Sequence, residues 1–284
     1  MKYQGVTLVQ LWATRLLLCI AIVGGVGVSL ASYQDEVKVF KQWSEIFSAL
    51  NGSSEANKPV QKLSTDNLYW IPVASAIGFQ MLHACFNYDL KATEDRNTTG
   101  APFVHALITT FSSHSVFLKQ SRPFWEYAID SDFPQSYLEI IPPLISLGYS
   151  MYELSESVTH SSAEFFIHGA AMFLGLYYLN KAGKIHLANA PLLTEASTIF
   201  YNLRRVDSRF MYPFGILFII YRWGVFPGIV LSFLKNVYWK DVRYEGKEHV
   251  MPIIGVGGSV LSMMNLWWGV KIIKKMAAYA AKKP

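Results

Sequence analysis

Cysteine and charge are what this sequence has least of. Its only cysteines, Cys19 and Cys85, each sit inside an apolar run, where a thiol behaves as a small hydrophobe. Two isolated cysteines exclude a disulfide framework and a Cys-based zinc spacing, and they leave the redox compartment unread. Charged residues make up 16% of the 284, against 52% aliphatic, aromatic and Cys; soluble domains carry about 25% charged residues. Internal repeats, low-complexity tracts and a linker that would divide the chain are absent too. That argues against solenoids, disordered scaffolds and a two-domain layout.

A charge deficit alone also fits a large buried core. The apolar residues decide the class, because they fall in runs near the ~20 residues that cross a bilayer. Leu16 to Gln34 is uncharged for nineteen residues, longer than the ~7–15-residue core of a signal peptide, and is read as a first transmembrane helix. Lys2 and Arg15 with no acid before Asp35 also permit mitochondrial import, although the run is too hydrophobic for an Arg/Ser-rich transit peptide. A polar stretch from Asp35 to Asp66 follows, with a short amphipathic helix expected near Val39 to Leu50. Further spans are Leu68 to Tyr88, Thr98 to Leu118, Ile140 to about Ser157 (starting near Pro142-Pro143), His160 to Asn180, Phe210 to Leu234 and His249 to Val270. Leu192 to Arg204 is a shorter helix. The expectation is an all-α integral membrane protein of seven or eight transmembrane helices. Residues 1–60 form an N-terminal helix and polar loop, and residues 61–284 form one transmembrane domain with a basic tail.

The net charge is +5, and five lysines (Lys271, Lys274, Lys275, Lys282, Lys283) fall in the last fourteen residues. Beside an apolar span they read as a topology anchor or an anionic-lipid contact, with the C-terminus cytoplasmic or matrix-facing, and not as a nucleic-acid footprint. The sequons at Asn51 and Asn97 flank one span, so they lie on opposite faces and at most one is lumenal.

Ionisable groups inside apolar helices are costly, roughly 2.5–3.5 kcal/mol each at mid-membrane, and normally face an enclosed cavity. His83, His105, His114, Glu153, His160, Glu164, His168, Glu195 and Arg222 are spread over most of the spans. The densest set, His160, Glu164 and His168, is spaced i, i+4, i+8 and forms one slanted helix face. A carboxylate between two imidazoles suits general acid–base work, with His168 as base and Glu164 as its orienting partner. The same residues also suit a purely interhelical hydrogen-bond network. The spacing is not that of a zincin and no residue completes a metal site. Arg222 requires a carboxylate at similar depth, with Glu195 and Glu153 as the candidates. Ser112 and Ser113 adjoin His114, but neighbours on a helix do not face each other, which counts against a Ser–His pair.

Several segments together resemble the TLC-domain family, which includes the ceramide synthases. They are GYSMYEL (148–154), HSSAEFFIHG (160–169), LLTEASTIFYNLRRV (192–206), IIYRWGVFP (219–227) and MNLWWGVKI (264–272), with a weaker FVHAL (103–107). They come in family order across roughly residues 68 to 276. The resemblance implies a helical barrel around a lipid-accessible cavity. It marks His105, Tyr149, Glu153, Glu195, Arg204, Arg222, Asn265 and Trp268 as substrate-contacting positions, and His160, Glu164 and His168 as the reactive helix. In the ceramide-synthase branch an acyl chain passes from acyl-CoA to a sphingoid amine, so acyl-CoA is the implied co-substrate. That branch carries paired histidines and paired aspartates. Here Gly169 follows His168 and Glu195 stands alone, so the resemblance is closer to TLC proteins outside that branch. Three functions stay open: a protein that binds or processes lipid, an acyl-CoA-dependent N-acyltransferase, and a non-catalytic subunit of a larger membrane complex. The expected partners are membrane lipids and membrane-protein subunits. The expected location is the endoplasmic reticulum or another endomembrane, with the mitochondrial inner membrane as the alternative.

Overall fold

The structure is a computed structural model and describes residues 68–87, 100–119, 137–159, 163–204, 207–239 and 250–281. His160, both sequons, the first apolar run and the amphipathic segment near 39–50 lie outside the described residues. Within them every regular element is helical: α1 (Trp70–Asn87), α2 (Gly100–Lys119), α3 (Tyr137–Thr159), α4 (Ala163–Lys181), α5 (Asn189–Leu192), α6 (Ala196–Leu203), α7 (Met211–Phe218), α8 (Phe226–Trp239) and α9 (Val250–Ala281). Short 3-10 turns, Ile185–Ala188 and Leu193–Glu195, make one continuous segment of α5 and α6, and a π-helical stretch, Ile219–Val225, joins α7 to α8. Two rods, Ser208–Lys235 and Pro252–Ala281, are both long and apolar enough to cross a membrane.

Exposed apolar side chains surround the bundle, and several ionisable groups are buried within its largely apolar interior. Val73, Phe111, Leu118, Leu231, Val256 and Met263 point outward, while His105, Glu195, Ser197, Arg222 and Asn265 are buried. Apolar residues outside and ionisable residues inside are what a lipid solvent selects.

Local chemistry explains where the elements begin, end and touch. Pro142 and Pro143 lie inside α3 and not at its start. Pro143 has no N–H for the carbonyl of Glu139 four residues earlier, and Asn189 Nδ2 donates to that carbonyl at 2.7 Å, which ties α5 to α3. α4 ends at Gly183, whose φ of 68° suits only glycine without strain. The Gly183 N–H donates to Asn180 O at 2.9 Å and the Lys184 N–H to Leu179 O at 2.8 Å, the paired bonds of a Schellman turn. Asp207 accepts the Arg209 N–H at 2.9 Å at the start of the next rod; hydrogen bonding to Arg209 holds its carboxyl below the usual range. At Gly148 an added Cβ would meet the backbone of Pro72 and Ala76 and the side chain of Ser75, so α1 and α3 approach closely there.

The bundle divides into two halves. At one end Leu68, Ile71, Ile140, Leu144, Leu176 and Ile185 form an apolar core. At the other end α1, α3, α6 and α9 finish and α2, α4 and α7 begin. This end carries the lysines of α9 and encloses a cavity.

Candidate functional site

The cavity has a volume of about 310 Å³ and takes its wall from α1, α2, α3, α4, α6, α7, the π-helical stretch and α9. Its most constrained group is Arg222. The guanidinium donates from Nε to Ser197 Oγ (3.1 Å), from Nη1 to Asn265 Oδ1 (3.2 Å), and from Nη2 to Glu195 Oε1 (3.1 Å) and Thr198 Oγ1 (2.9 Å). Glu195, Ser197 and Thr198 thus form a socket on the α5–α6 segment, closed from α9 by Asn265. The π-helical stretch supplies the wider turn in which Arg222 sits: the Phe226 N–H bonds to Tyr221 O, five residues back, and such bulges often mark functional positions. Of the two carboxylates expected for Arg222, Glu195 is the partner.

Glu153 pairs elsewhere. Its Oε2 lies 3.0 Å from His168 Nδ1, with both side chains mostly buried. The sequence-based assignment of Glu164 as the orienting partner of His168 is therefore corrected. Glu164 accepts from Trp268 Nε1 (2.9 Å), Trp267 Nε1 (3.4 Å) and Lys271 Nζ (2.5 Å). It sits in the first turn of α4 facing α9, half-exposed, whereas His168 one turn deeper faces α3. Trp268 stands between the two faces, its ring 5.5 Å from that of His168. In the neutral ring, a proton on Nδ1 bound to Glu153 leaves Nε2 as the lone-pair nitrogen.

His105 is fixed in the opposite sense. It is 1% exposed and stacks on Tyr149 at 3.9 Å. Its Nε2 lies 3.0 Å from Ser146 Oγ, and that hydroxyl donates to Pro142 O. The Ser146 oxygen then accepts from Nε2–H, leaving Nδ1 with its lone pair and without a partner among the described residues.

The other expected residues fall as follows. Tyr149, Glu153, Glu195, Arg204, Arg222 and Trp268 line the cavity together with His105, Glu164 and His168. Asn265 is buried behind Arg222 and anchors it. His114 bonds to Thr110 O and Tyr221 Oη, which leaves it unpaired with its serine neighbours. Sequence reasoning missed Ser197, Thr198 and Tyr201, took Lys275 only as one of a basic cluster anchoring the chain or contacting anionic lipid, and gave no site role to His83, which bonds Tyr152 Oη at 2.7 Å and Glu156 at 3.2 Å. For Ser197 and Thr198 the signal was present in their spacing from Glu195 on a segment opposite an arginine. Among the described residues no cluster of three or more His, Cys, Asp or Glu side chains is placed to hold a metal ion.

A family model described as the TLC domain matches residues 96–274, more than half of the chain. The chain belongs to the TLC-domain family. No characterised protein and no solved structure matches it significantly. The TLC domain is a membrane, lipid-related family, and with the two long apolar rods it makes this chain an integral membrane protein. In this TLC domain the segment 192–204 and the closing Asn265, Trp268 and Lys271 have concrete tasks. The first holds Arg222, and the second supplies, at three-residue steps along one side of α9, a contact to Arg222 and two to Glu164.

Proposed function

We propose that this TLC-domain protein binds a membrane lipid in the cavity, with the lipid head in its polar chamber. The observation that carries the reading is the neighbour of the cavity. Met172 lines both the polar chamber and a second, nearly all-apolar pocket of about 110 Å³ between α4, α5, α8 and α9. A polar compartment adjoining an apolar one suits an amphiphile, whose chain is favoured against aliphatic walls by roughly 25 cal/mol per Å² buried. Native mass spectrometry of the purified protein tests it. The expected result is a co-purifying lipid displaced when Met172→Trp fills the junction. A protein that carries no lipid in mild detergent, and takes none from added lipid, refutes the reading.

A second reading, lipid processing by N-acyl transfer, is favoured by the His168–Glu153 pair. The amine of a long-chain base would attack the thioester carbonyl of acyl-CoA and lose its proton to His168 Nε2. The new C–N bond would form as the C–S bond breaks, releasing the CoA thiol. Incubation with acyl-CoA and sphingoid bases tests it: no turnover in the wild type, or full turnover in His168→Ala, rejects it. We propose an endoplasmic reticulum or other endomembrane location, with the mitochondrial inner membrane as the alternative. A non-catalytic role in a larger membrane complex would appear as co-purification with other subunits at fixed stoichiometry.

A further inference from the structure

The charges around the cavity do not cancel locally. Each acid of the wall has a polar or cationic partner: Glu153 has His168, Glu156 has Gln80 and His83, Glu164 has Lys271, and Glu195 has Arg222. Two cations of the wall, Arg204 and Lys275, have no carboxylate partner among the described residues, and both lie at the end where the cavity opens. Arg204 is held in a fixed pose. Its guanidinium lies 4.2 Å from the Tyr201 ring centroid and 5.7 Å from that of Phe214, and Nε donates to Tyr201 O at 3.1 Å. That leaves the Nη donors without a partner among the described residues. Lys275 is exposed and lines the same wall. A stacked arginine fork and a flexible ammonium on the wall of one cavity are suited to a tetrahedral oxyanion: the planar guanidinium can donate twice and the lysine adds a point charge. The neighbouring wall (Phe165, Met172, Met211, Phe214, Phe218 and Ile272) is apolar, which suits a phosphate attached to a hydrocarbon body and not a free one.

We propose that Arg204 and Lys275 form a phosphate-binding site at the cavity mouth, so that the ligand is an anionic lipid carrying a phosphate mono- or diester head. This rests on the lipid-cavity reading above and specifies the head-group class. Lys274, next to Lys275 but absent from the cavity wall, is the built-in control, because a general attraction of the basic tail to anionic bilayers would use both lysines alike.

The test uses the full-length protein in neutral detergent, with retention of dioleoyl phosphatidic acid, dioleoylglycerol, dioleoyl phosphatidylcholine and glycerol 3-phosphate measured by native mass spectrometry. Phosphatidic acid should be retained at least ten-fold over dioleoylglycerol. Lys275→Gln and Arg204→Gln should each reduce that preference about five-fold, the scale of one interfacial cation. Arg204→Lys should restore only part of it, and Lys274→Gln should leave it unchanged. If Arg204→Gln does not fold, the exposed Lys275→Gln carries the test. Equal retention of phosphatidic acid and dioleoylglycerol, or equal effects of Lys274→Gln and Lys275→Gln, overturns the phosphate site and leaves the lipid cavity standing. Glycerol 3-phosphate bound as tightly as phosphatidic acid overturns the lipid part, and retention of none of the four probes overturns both readings.

Discussion

Arg222→Met is the most informative single perturbation of the fold. It replaces the guanidinium with an unbranched apolar side chain and removes four hydrogen bonds. Interhelical hydrogen bonds in membrane proteins average ~0.6 kcal/mol, so four of them amount to at least about 2 kcal/mol, and charge-assisted ones to more. The larger effect is on Glu195, which is 8% exposed and would keep a carboxylate with no cation beside it. Breaking a buried pair from one side costs about 3–5 kcal/mol, whereas replacing both partners by packed apolar residues is often neutral or stabilising. The expected order is therefore specific: Arg222→Met loses about 3–5 kcal/mol, and adding Glu195→Met recovers most of that loss. Arg222→Lys falls in between, because an ammonium keeps the charge but does not span acceptors on two segments. Reversible unfolding in mixed micelles, read as a double-mutant cycle, measures all three. If the double variant is as unstable as Arg222→Met, the stranded carboxylate is not what costs, and the argument fails.

Burial predicts the contrast at the cavity mouth. Glu164 and Lys271 are 45% and 44% exposed, so Glu164→Gln should change stability by less than about 1 kcal/mol in the same assay; a loss as large as that of Arg222→Met would contradict it. Helix contact predicts a second contrast. Gly148→Ala meets backbone that cannot give way and should cost about 1–3 kcal/mol by overpacking. Gly175→Ala has nothing within 4 Å and should be neutral or add up to ~1 kcal/mol from helix propensity; thermal shifts of the same sign in both variants would count against the close approach of α1 and α3. The two histidines should differ in tautomer, with neutral His105 carrying its proton on Nε2 and neutral His168 on Nδ1. The ring nitrogen shifts of ¹⁵N-histidine protein in nanodiscs decide this, and Ser146→Ala should release His105 without affecting His168.

The helices were legible because a lipid solvent demands long, uncharged runs. The runs at 68–88, 98–118 and 140–157 became α1, α2 and α3 within a few residues, and Arg222 lies mid-rod in Ser208–Lys235 as its run required. Boundaries failed where a backbone group is satisfied by something distant in sequence. Pro142 and Pro143 read as a helix start, yet α3 begins earlier because Asn189 takes the carbonyl that Pro143 orphans. Lys271, Lys274 and Lys275 read as part of a tail, yet α9 continues through them to Ala281, and Lys271 meets Glu164.

The burial of His105, Glu195 and Arg222 was also legible, because each is costly in an apolar helix; which polar groups meet depends on helix separation, and one glycine shows why. Glu164 precedes His168 by one turn on the same helix, so spacing made it the partner. Gly169 lets α3 pass close to α4: a Cβ there would come within 3.3 Å of Leu154 Cγ and 3.5 Å of Glu153 Cγ. At that separation the Glu153 carboxylate reaches His168 Nδ1 and takes the role that spacing assigned to Glu164, which is left to α9. The line of ionisable residues on α4 then divides by depth. His168 belongs to the enclosed chamber and Glu164 to its mouth, and a ligand head reaching His168 from that end must first pass Glu164, Lys271 and Trp268.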